Sequence, residues 1–239
     1  MTTKRAYVLR TCDADLRSWN GFQWPEKGKV SCSDWDPKPE CGNGLHGLLN
    51  GDGNGSLLDW QPDAKWLVVS VNPKDIVDLD DKVKFKEGIV VHCGDRKSAT
   101  DFIISKGADP SKVVGAFFTG GDNSTVTGGH DSTVTGGNDS TVTGGHYSTV
   151  TGGKYSTVTG GYHSTVIGGD GSTVIGGNRS TVTGRDSSTV TGGNRSILSL
   201  KWWDEKANRL RISIAYVGED GILPNVKYKL DNEGKFVEV

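Results

Sequence analysis

The hydrophobic pattern of this chain changes near residue 120. Between Gly120 and Ser199 one apolar residue recurs every eight positions, within the phrase Gly-Gly-x-x-Ser-Thr-Val-Thr, which is written ten times. The segments on either side carry short apolar or alternating runs, which predict ordinary β-strands. A strict short period indicates that each unit stacks on a copy of itself and shares its core with its neighbours. The sequence therefore predicts a solenoid between two flanking segments.

Each half of the octad has its own predicted conformation. Ser-Thr-Val-Thr is a short strand, because Thr and Val are β-branched and favour the pleated backbone. Side chains alternate along a strand, so Thr125 and Thr127 share one face while Ser124 and Val126 share the other. Valine is the one regularly apolar position, replaced by Leu198 in the tenth octad, and is predicted to point inward. The Gly-Gly pair is expected to supply backbone freedom at a tight corner, and the two variable residues to finish the turn facing water.

Two octads make the smallest closed coil, because a coil needs at least two strands and two corners. We therefore predict a mainly β fold containing a two-sided parallel β-solenoid of five 16-residue coils. The variable residues favour this period, since octads of one series are mostly acidic there while those of the other carry histidines and then arginines. A three-sided coil of 24 residues would mix the two series.

The two corner series suggest an assembly edge. One series contains Asp122, Asp139, Asp170 and Asp186, interrupted by Lys154, and the other contains His130, His146, Tyr147, Tyr162, His163, Arg179 and Arg195. Acidic and basic edges of separate molecules would attract each other, which predicts a homo-oligomer that weakens with salt and strengthens as the histidines gain charge at lower pH. The alternative is that both edges are solvated turns.

The flanking segments predict two further parts. Residues 1–112 are expected to form a small α+β domain with strands at residues 6–9, 66–71 and 88–93 and a helix capped by Asp95 that ends near Gly107. The glycine-rich stretch 42–55 is predicted to be a long connection, with a mobile lid as the alternative. Residues 113–199 contain the solenoid, where Phe117 and Phe118 are expected to plug its open end. Residues 200–239 are predicted to form a β cap over the other end, because exposed rungs are sheet edges that invite further pairing.

Composition narrows the function classes. A net charge of −2 implies no strongly charged polymeric partner, and the absence of a basic face with aromatic platforms argues against nucleic acid. Neither a membrane span nor an apolar run after the first residues is evident, so we expect a cytoplasmic location. The cysteines are then expected to be reduced.

A group of cysteines and histidines in the first 112 residues has the chemistry of a metal site. Its members are Cys12, Cys32, Cys41, His46, His92 and Cys93. Zinc ligands usually come at regular short spacings, and these spacings are irregular. Buried thiols with a hydrogen-bonded histidine are therefore preferred to a zinc site or a Cys–His nucleophilic pair. We predict no metal, no cofactor and no catalytic residue, although the enzyme class stays open for this segment.

The repeat and tail resemble the bacterial ice-nucleation protein family. That family has 16-residue coils of two octads, Ala-Gly-x-x-Ser-Thr-x-Thr, and its C-terminal cap has the order seen here in Trp203-Asp204, Arg209, Arg211, Gly218-Glu219-Asp220-Gly221 and Tyr228. Arginines enter the last coils in both, here as Arg179, Arg185 and Arg195. The resemblance covers about residues 120–239. It departs in the small number of coils, in the first 112 residues and in the sporadic tyrosines.

The resemblance implies that outward threonines order water in an ice-like pattern. In one series these are Thr125, Thr127, Thr141, Thr143, Thr157, Thr159, Thr173, Thr189 and Thr191, and Ile175 occupies the one remaining outward position. A rigid spacer or self-assembly module is the competing hypothesis, since threonine is also a good exposed strand residue. A calcium-bound β-roll is disfavoured because it needs a nine-residue repeat with a regular Asp. A further alternative is an enzymatic or ligand-binding first segment carried on a solenoid stalk.

Overall fold

The structure, a computed structural model, describes residues 5–239. The chain divides into two compact units, the first ending at Ala116 and the second running from Phe117 to Val239. No helix within the described residues is long and apolar enough to cross a membrane.

The first unit is built on an antiparallel sheet of seven strands. They are β1 (Ala6–Cys12), β2 (Gly28–Ser31), β3 (Leu45–Leu49), β4 (Lys65–Val71), β5 (Ile76–Asp78), β6 (Val83–Phe85) and β7 (Glu87–Gly94). Their order across the sheet is β2-β7-β4-β1-β3-β6-β5, and every pairing is antiparallel. The strands predicted at residues 6–9, 66–71 and 88–93 are confirmed as parts of β1, β4 and β7.

One helix packs on this sheet. Helix α1 (Arg96–Ser105) lies against β4, β7 and β1 and buries Ala99 and Ile103. The carboxylate of Asp95 accepts a hydrogen bond from the Ser98 N–H at 2.7 Å, which satisfies one of the free donors at the helix start. This hydrogen bond, together with the Ser98 side chain, lowers the pKa of the Asp95 carboxyl group. The predicted helix and its cap are confirmed. Short 3₁₀ turns lie at Gly55–Leu57, Pro73–Asp75 and Pro110–Lys112.

The prediction of a long connection or lid at residues 42–55 is wrong. Strand β3 runs through this stretch, with Leu45 and Leu48 buried, and pairs with both β1 and β6. Gly47 lies so close to Val8 and to the Leu9 carbonyl that a Cβ would overlap both. The glycine that made the stretch look like a loop is therefore the residue that lets two strands approach.

The second unit contains eleven strands that wind as a solenoid. They are β8 (Phe117–Thr119), β9 (Thr125–Thr127), β10 (Thr133–Thr135), β11 (Thr141–Thr143), β12 (Thr149–Thr151), β13 (Thr157–Gly160), β14 (Thr165–Ile167), β15 (Thr173–Gly176), β16 (Thr181–Gly184), β17 (Thr189–Gly192) and β18 (Ile197–Asp204). The odd-numbered strands β9–β17 form one parallel sheet, the odd sheet, and the even-numbered strands β8–β18 form the other, the even sheet. Every partner lies 16 residues away, as in Thr141–Thr157. The two-sided, 16-residue coil is confirmed.

The interior of the solenoid is a column of valines and a column of serines. The inward positions from Val134 to Val190, and Leu198 after them, are 0% exposed, which confirms the predicted facing of the octad. The serines are also buried. Ser148 Oγ donates to the Gly129 carbonyl at 3.1 Å and accepts from the Ser132 N–H at 3.2 Å. Buried hydroxyls are thus paired along their own column, as buried polar groups require.

The expected role of the Gly-Gly pair is wrong. The left-handed backbone belongs instead to the second variable residue of each octad, with φ of 56° at Asn123, 57° at Tyr147 and 59° at Arg195. The glycines are needed because a Cβ has no room. A Cβ on the first glycine would overlap the next inward valine, and one on the second, such as Gly153, would lie 2.6 Å from the Gly137 carbonyl carbon in the preceding coil.

The two ends of the solenoid are closed differently. At the first end, Phe118 takes the inward valine position and packs on the core, whereas Phe117 takes an outward threonine position, so only one of the two predicted plugs points inward. At the other end, β19 (Arg209–Tyr216) pairs antiparallel with β18, and β20 (Lys227–Leu230) pairs with β17 and with β21 (Phe236–Glu238). The terminal strands therefore extend the two solenoid sheets. The outer face of β19 exposes Leu210, Ile212, Ile214 and Tyr216.

Candidate functional site

The outward face of the odd sheet is a regular array of threonines. Each strand has two outward residues, one on either side of its inward valine. The first outward residues align as Thr125, Thr141, Thr157, Thr173 and Thr189, and the second as Thr127, Thr143, Thr159, Ile175 and Thr191. Strand geometry places neighbouring side chains about 6.7 Å apart along a strand and about 4.8 Å apart between coils. The predicted site residues are thus brought together as two parallel rows, which we call the odd face.

The exposure of the odd face decreases along the solenoid. Thr125, Thr127, Thr141 and Thr157 are exposed, whereas Thr173 and Thr191 are half-buried. Thr189 Oγ1 donates to Thr173 Oγ1 at 3.4 Å, so some hydroxyls also bond to each other across coils. Beyond β17 the sheet continues into β20, where Lys227 pairs with Thr191. The threonine rows therefore end at a charged strand.

The outward face of the even sheet, the even face, is less regular. Its strands carry threonine pairs in β10, β12 and β16, but Ile167 interrupts β14, and Ile197 with Ser199 occupies β18. It begins at Phe117 and continues into the apolar outer side of β19. The odd face, with one isoleucine among its ten outward positions, is therefore the more complete threonine lattice.

The first variable residue of several octads forms a hydrogen-bond ladder at the corners. His146 Nδ1 accepts from the Tyr162 N–H at 2.8 Å, and Asn138 Oδ1 accepts from the Lys154 N–H at 2.8 Å. The same bond is made by Asp122, His130 and Asn178 toward the residue 16 positions later. Asp, Asn and neutral His share an acceptor of similar reach. This acceptor role could not be seen in the sequence, because the donor N–H lies in the next coil, 16 residues away.

Many residues of the predicted assembly edge also contact one another within the molecule. The rings of His130 and His146 stack at 5.0 Å, and the rings of Tyr147 and Tyr162 meet edge-on at 5.6 Å. The Arg179 guanidinium lies 5.8 Å from the Tyr162 ring. In the acidic series, Lys154 Nζ lies 3.1 Å from Asp170 Oδ2, an exposed ion pair. The side chains of each corner series therefore contact one another within a single molecule.

The cysteines and histidines of the first unit are not gathered into a metal site. Within residues 5–239, no three His, Cys, Asp or Glu side chains are placed to hold a metal ion. All four cysteines are free, and only Cys12 is buried, where burial raises its pKa to about 11. Cys41 is exposed and accepts from Lys82 Nζ at 3.1 Å, which lowers its pKa. The prediction of buried thiols is confirmed for Cys12 and wrong for the exposed Cys41. A hydrogen bond of 3.1 Å joins His92 Nε2 and Ser98 Oγ, whereas Nε2 of His46 is buried without a partner among these residues.

Comparison with known proteins supports the reading of the repeats. The ice nucleation protein of Pseudomonas syringae is 42% identical over 113 residues, 46% of this chain and 10% of that protein. This chain is similar to ice nucleation proteins over less than half of its length. An ice nucleation protein of Pseudomonas fluorescens is 39% identical over 43% of the chain and 9% of its own length, and the ice nucleation protein InaU of Pantoea ananas is 34% identical over 46% and 11%. The resemblance predicted from octad and tail is confirmed.

The similarity to ice nucleation proteins covers only part of this chain and of its relatives. The chain spans about a tenth of the length of the curated relatives it matches. Residues 6–103 match a family model described as a domain of unknown function (DUF7666). No solved structure matches the chain.

Proposed function

We propose that the second unit is a rigid, non-enzymatic module whose odd face orders water and binds ice. One observation carries this proposal: five strands of one parallel sheet hold nine outward threonines and Ile175 in register. The ice nucleation proteins named among the relatives support the same kind of role for the repeat.

The chemistry of the odd face suits a surface that must match ordered water. Each threonine offers one hydroxyl, which can donate and accept, beside one methyl group, which fills space without competing for hydrogen bonds. The lattice is held in place before any ligand arrives, because the valine and serine columns fix every strand from inside. Preorganisation matters since a mobile surface would have to be ordered at an entropic cost when it bound.

Ice shaping by paired variants tests this proposal. Thr157 on the odd face and Thr165 on the even face are both exposed first-position threonines in the middle of the array. Thr157→Lys places a charged, flexible side chain in the proposed lattice and should abolish faceting of ice crystals and reduce partition of the protein into growing ice. Thr165→Lys, the matched control, should change both little. Equal behaviour of the two variants, each folded by circular dichroism, would contradict the assignment to the odd face.

A rigid spacer or self-assembly module is the second candidate function for the second unit. It is favoured by the continuous in-register pairing of both sheets, which makes the solenoid stiff whether or not it meets ice. If the wild-type protein leaves ice crystals unfaceted and is excluded from ice, the spacer function takes precedence.

A further inference from the structure

A cavity of about 650 Å³ lies in the first unit. Arg10 of β1, His46 of β3 and Lys82, next to β6, contribute basic side chains to its wall, and Trp19, Phe22 and Trp24 contribute aromatic ones. A cleft of this size, with apolar walls and a few convergent polar groups, is typical of small-molecule sites.

Arg10 is held rigidly but incompletely paired. Its Nη1 donates to the His46 carbonyl at 2.8 Å and its Nη2 donates to Ser18 Oγ at 2.6 Å. The guanidinium also lies 4.6 Å from the ring centre of Trp24, whose own N–H donates to Ser18 Oγ at 2.7 Å. Nε of Arg10 is buried and makes no hydrogen bond of ordinary geometry in the part of the chain that the structure describes, and the thiol of Cys12, two residues further along β1, is close enough to interact with the guanidinium. The planar donor group is thus oriented while one of its N–H groups is left unsatisfied.

The charge of this wall is also unbalanced. Among residues 5–239 no carboxylate lies within ion-pair distance of Arg10, Lys82 or Lys84. Lys84, which does not line the cavity, is buried and donates to the Glu40 carbonyl. Asp34, the acidic residue on the lining, accepts from the Gly44 N–H at 3.2 Å. Burial lowers the pKa of Arg10, and burial together with the nearby positive charges lowers the pKa of His46. A half-buried cation without a counter-ion is unfavourable, and an anion entering the cavity would offset that cost.

The aromatic residues add a second feature that points to a ligand. The side chain of Trp19 is fully exposed beside the cavity, so its indole ring buries no apolar surface within the protein. Phe22 and Trp24 meet edge-on at 5.4 Å further along the wall. A planar ring lying against Trp19 would cover apolar surface that now faces water.

We propose that the first unit binds a small anion carrying a planar ring, with its carboxylate or phosphate on Arg10 and its ring against Trp19. The oxyanion accepts the free Nε–H of Arg10 and a second N–H from the same guanidinium, the fork geometry for which arginine is suited. Nε2 of His46, buried and unpaired, donates to the same oxyanion in its Nε2–H tautomer. Lys82 adds long-range attraction.

Isothermal titration of the full-length protein with three probes tests the site. Adenosine 5′-monophosphate carries a phosphate and a ring, indole-3-carboxylate carries a carboxylate and a ring, and adenosine carries a ring alone. Saturable binding of either anion, at least about tenfold tighter than adenosine, is expected from charged hydrogen bonds to Arg10. Which anion binds more tightly identifies the acidic group. No saturable binding of either anion at millimolar concentration, or equal binding of adenosine, would overturn the proposal.

Variants place the binding in the cavity. Arg10→Gln should weaken anion binding by about tenfold or more, and Trp19→Ala by about threefold or more. Lys97→Gln is the matched control, since Lys97 lies on α1 and pairs with Asp101, and it should bind like the wild type. Because Arg10→Gln could unfold the unit, Trp19→Ala and Lys82→Gln serve as variants of less buried residues. Unchanged affinity in folded Trp19→Ala and Lys82→Gln proteins would contradict the assignment.

Discussion

At the scale of single residues, the octad works because its two strand faces meet opposite environments. Val158 is fully buried between the sheets, while the adjacent Thr157 is exposed. Burial of one valine is worth about 1.5–3 kcal/mol. An aspartate in its place would lose that contribution and bury a charge as well.

Val158→Asp should therefore destabilise the solenoid by about 4 kcal/mol or more, whereas Thr157→Asp should cost less than about 1 kcal/mol. Thermal unfolding followed by circular dichroism compares the two. Equal tolerance of both substitutions would mean that the faces of the strand are assigned the wrong way round.

The corner ladder makes a second prediction at the residue scale. His146→Ala removes the acceptor for the Tyr162 N–H and should lower the free energy of unfolding by about 1 kcal/mol. His146→Asn should restore most of that loss, because Asn138 makes the same bond at the same position of another coil. Urea titration of the three proteins measures both differences. An asparagine variant as unstable as the alanine variant would show that the ladder contributes through ring stacking instead.

At the scale of the coil, glycine is required for space. Gly153→Ala would bring a Cβ against the backbone of Gly137, which cannot move without shifting a neighbouring coil, and should cost about 1–3 kcal/mol. Gly121 is the matched control, since it occupies the same position in the first octad, has no atom near its Cβ direction and has no left-handed backbone. Gly121→Ala should be tolerated in the same melting experiment. A destabilised Gly121→Ala variant would show that these glycines are needed for backbone freedom and not for space.

How far the sequence predicts these elements depends on whether the information is local. The inward valine, the outward threonines and the 16-residue coil follow from alternation and period alone, and all three are confirmed. The role of Gly153 could not be predicted, because a sequence shows a glycine without showing whether it serves a left-handed backbone or a close approach. Strand β3 was missed because Gly47 permits contact with β1, a partner distant in sequence. The cavity around Arg10 depends on similarly long-range contacts.

At the scale of the whole molecule, association between copies stays a prediction that rests on the charges of the two corner series. Acidic corners of one molecule facing basic corners of another should produce oligomers that weaken with added salt. Lower pH should strengthen them as histidines gain charge, although a charged imidazole loses its acceptor nitrogen and with it a corner bond such as that of His146.

Light scattering across salt and pH tests this association. Arg179→Glu and Arg195→Glu reverse the charge of the basic series and should shift the protein toward the monomer. A monomer under every condition would remove the idea.

The size of the odd face limits what one molecule can do to ice. Five strands at about 4.8 Å per coil give a surface about 20 Å long. A template must be large enough to hold a critical embryo if it is to start freezing, whereas a small one can still bind to a crystal that is already growing. We therefore expect one molecule to bind ice but to nucleate it only weakly.

The most direct test measures both properties on one monomeric preparation, isolated by size-exclusion chromatography. Ice crystals grown in its presence should become faceted, while droplets containing it should freeze at a temperature close to that of buffer droplets. Unfaceted crystals would contradict the claim that the odd face binds ice, and freezing at mild supercooling would contradict the claim that five coils are too few to nucleate it.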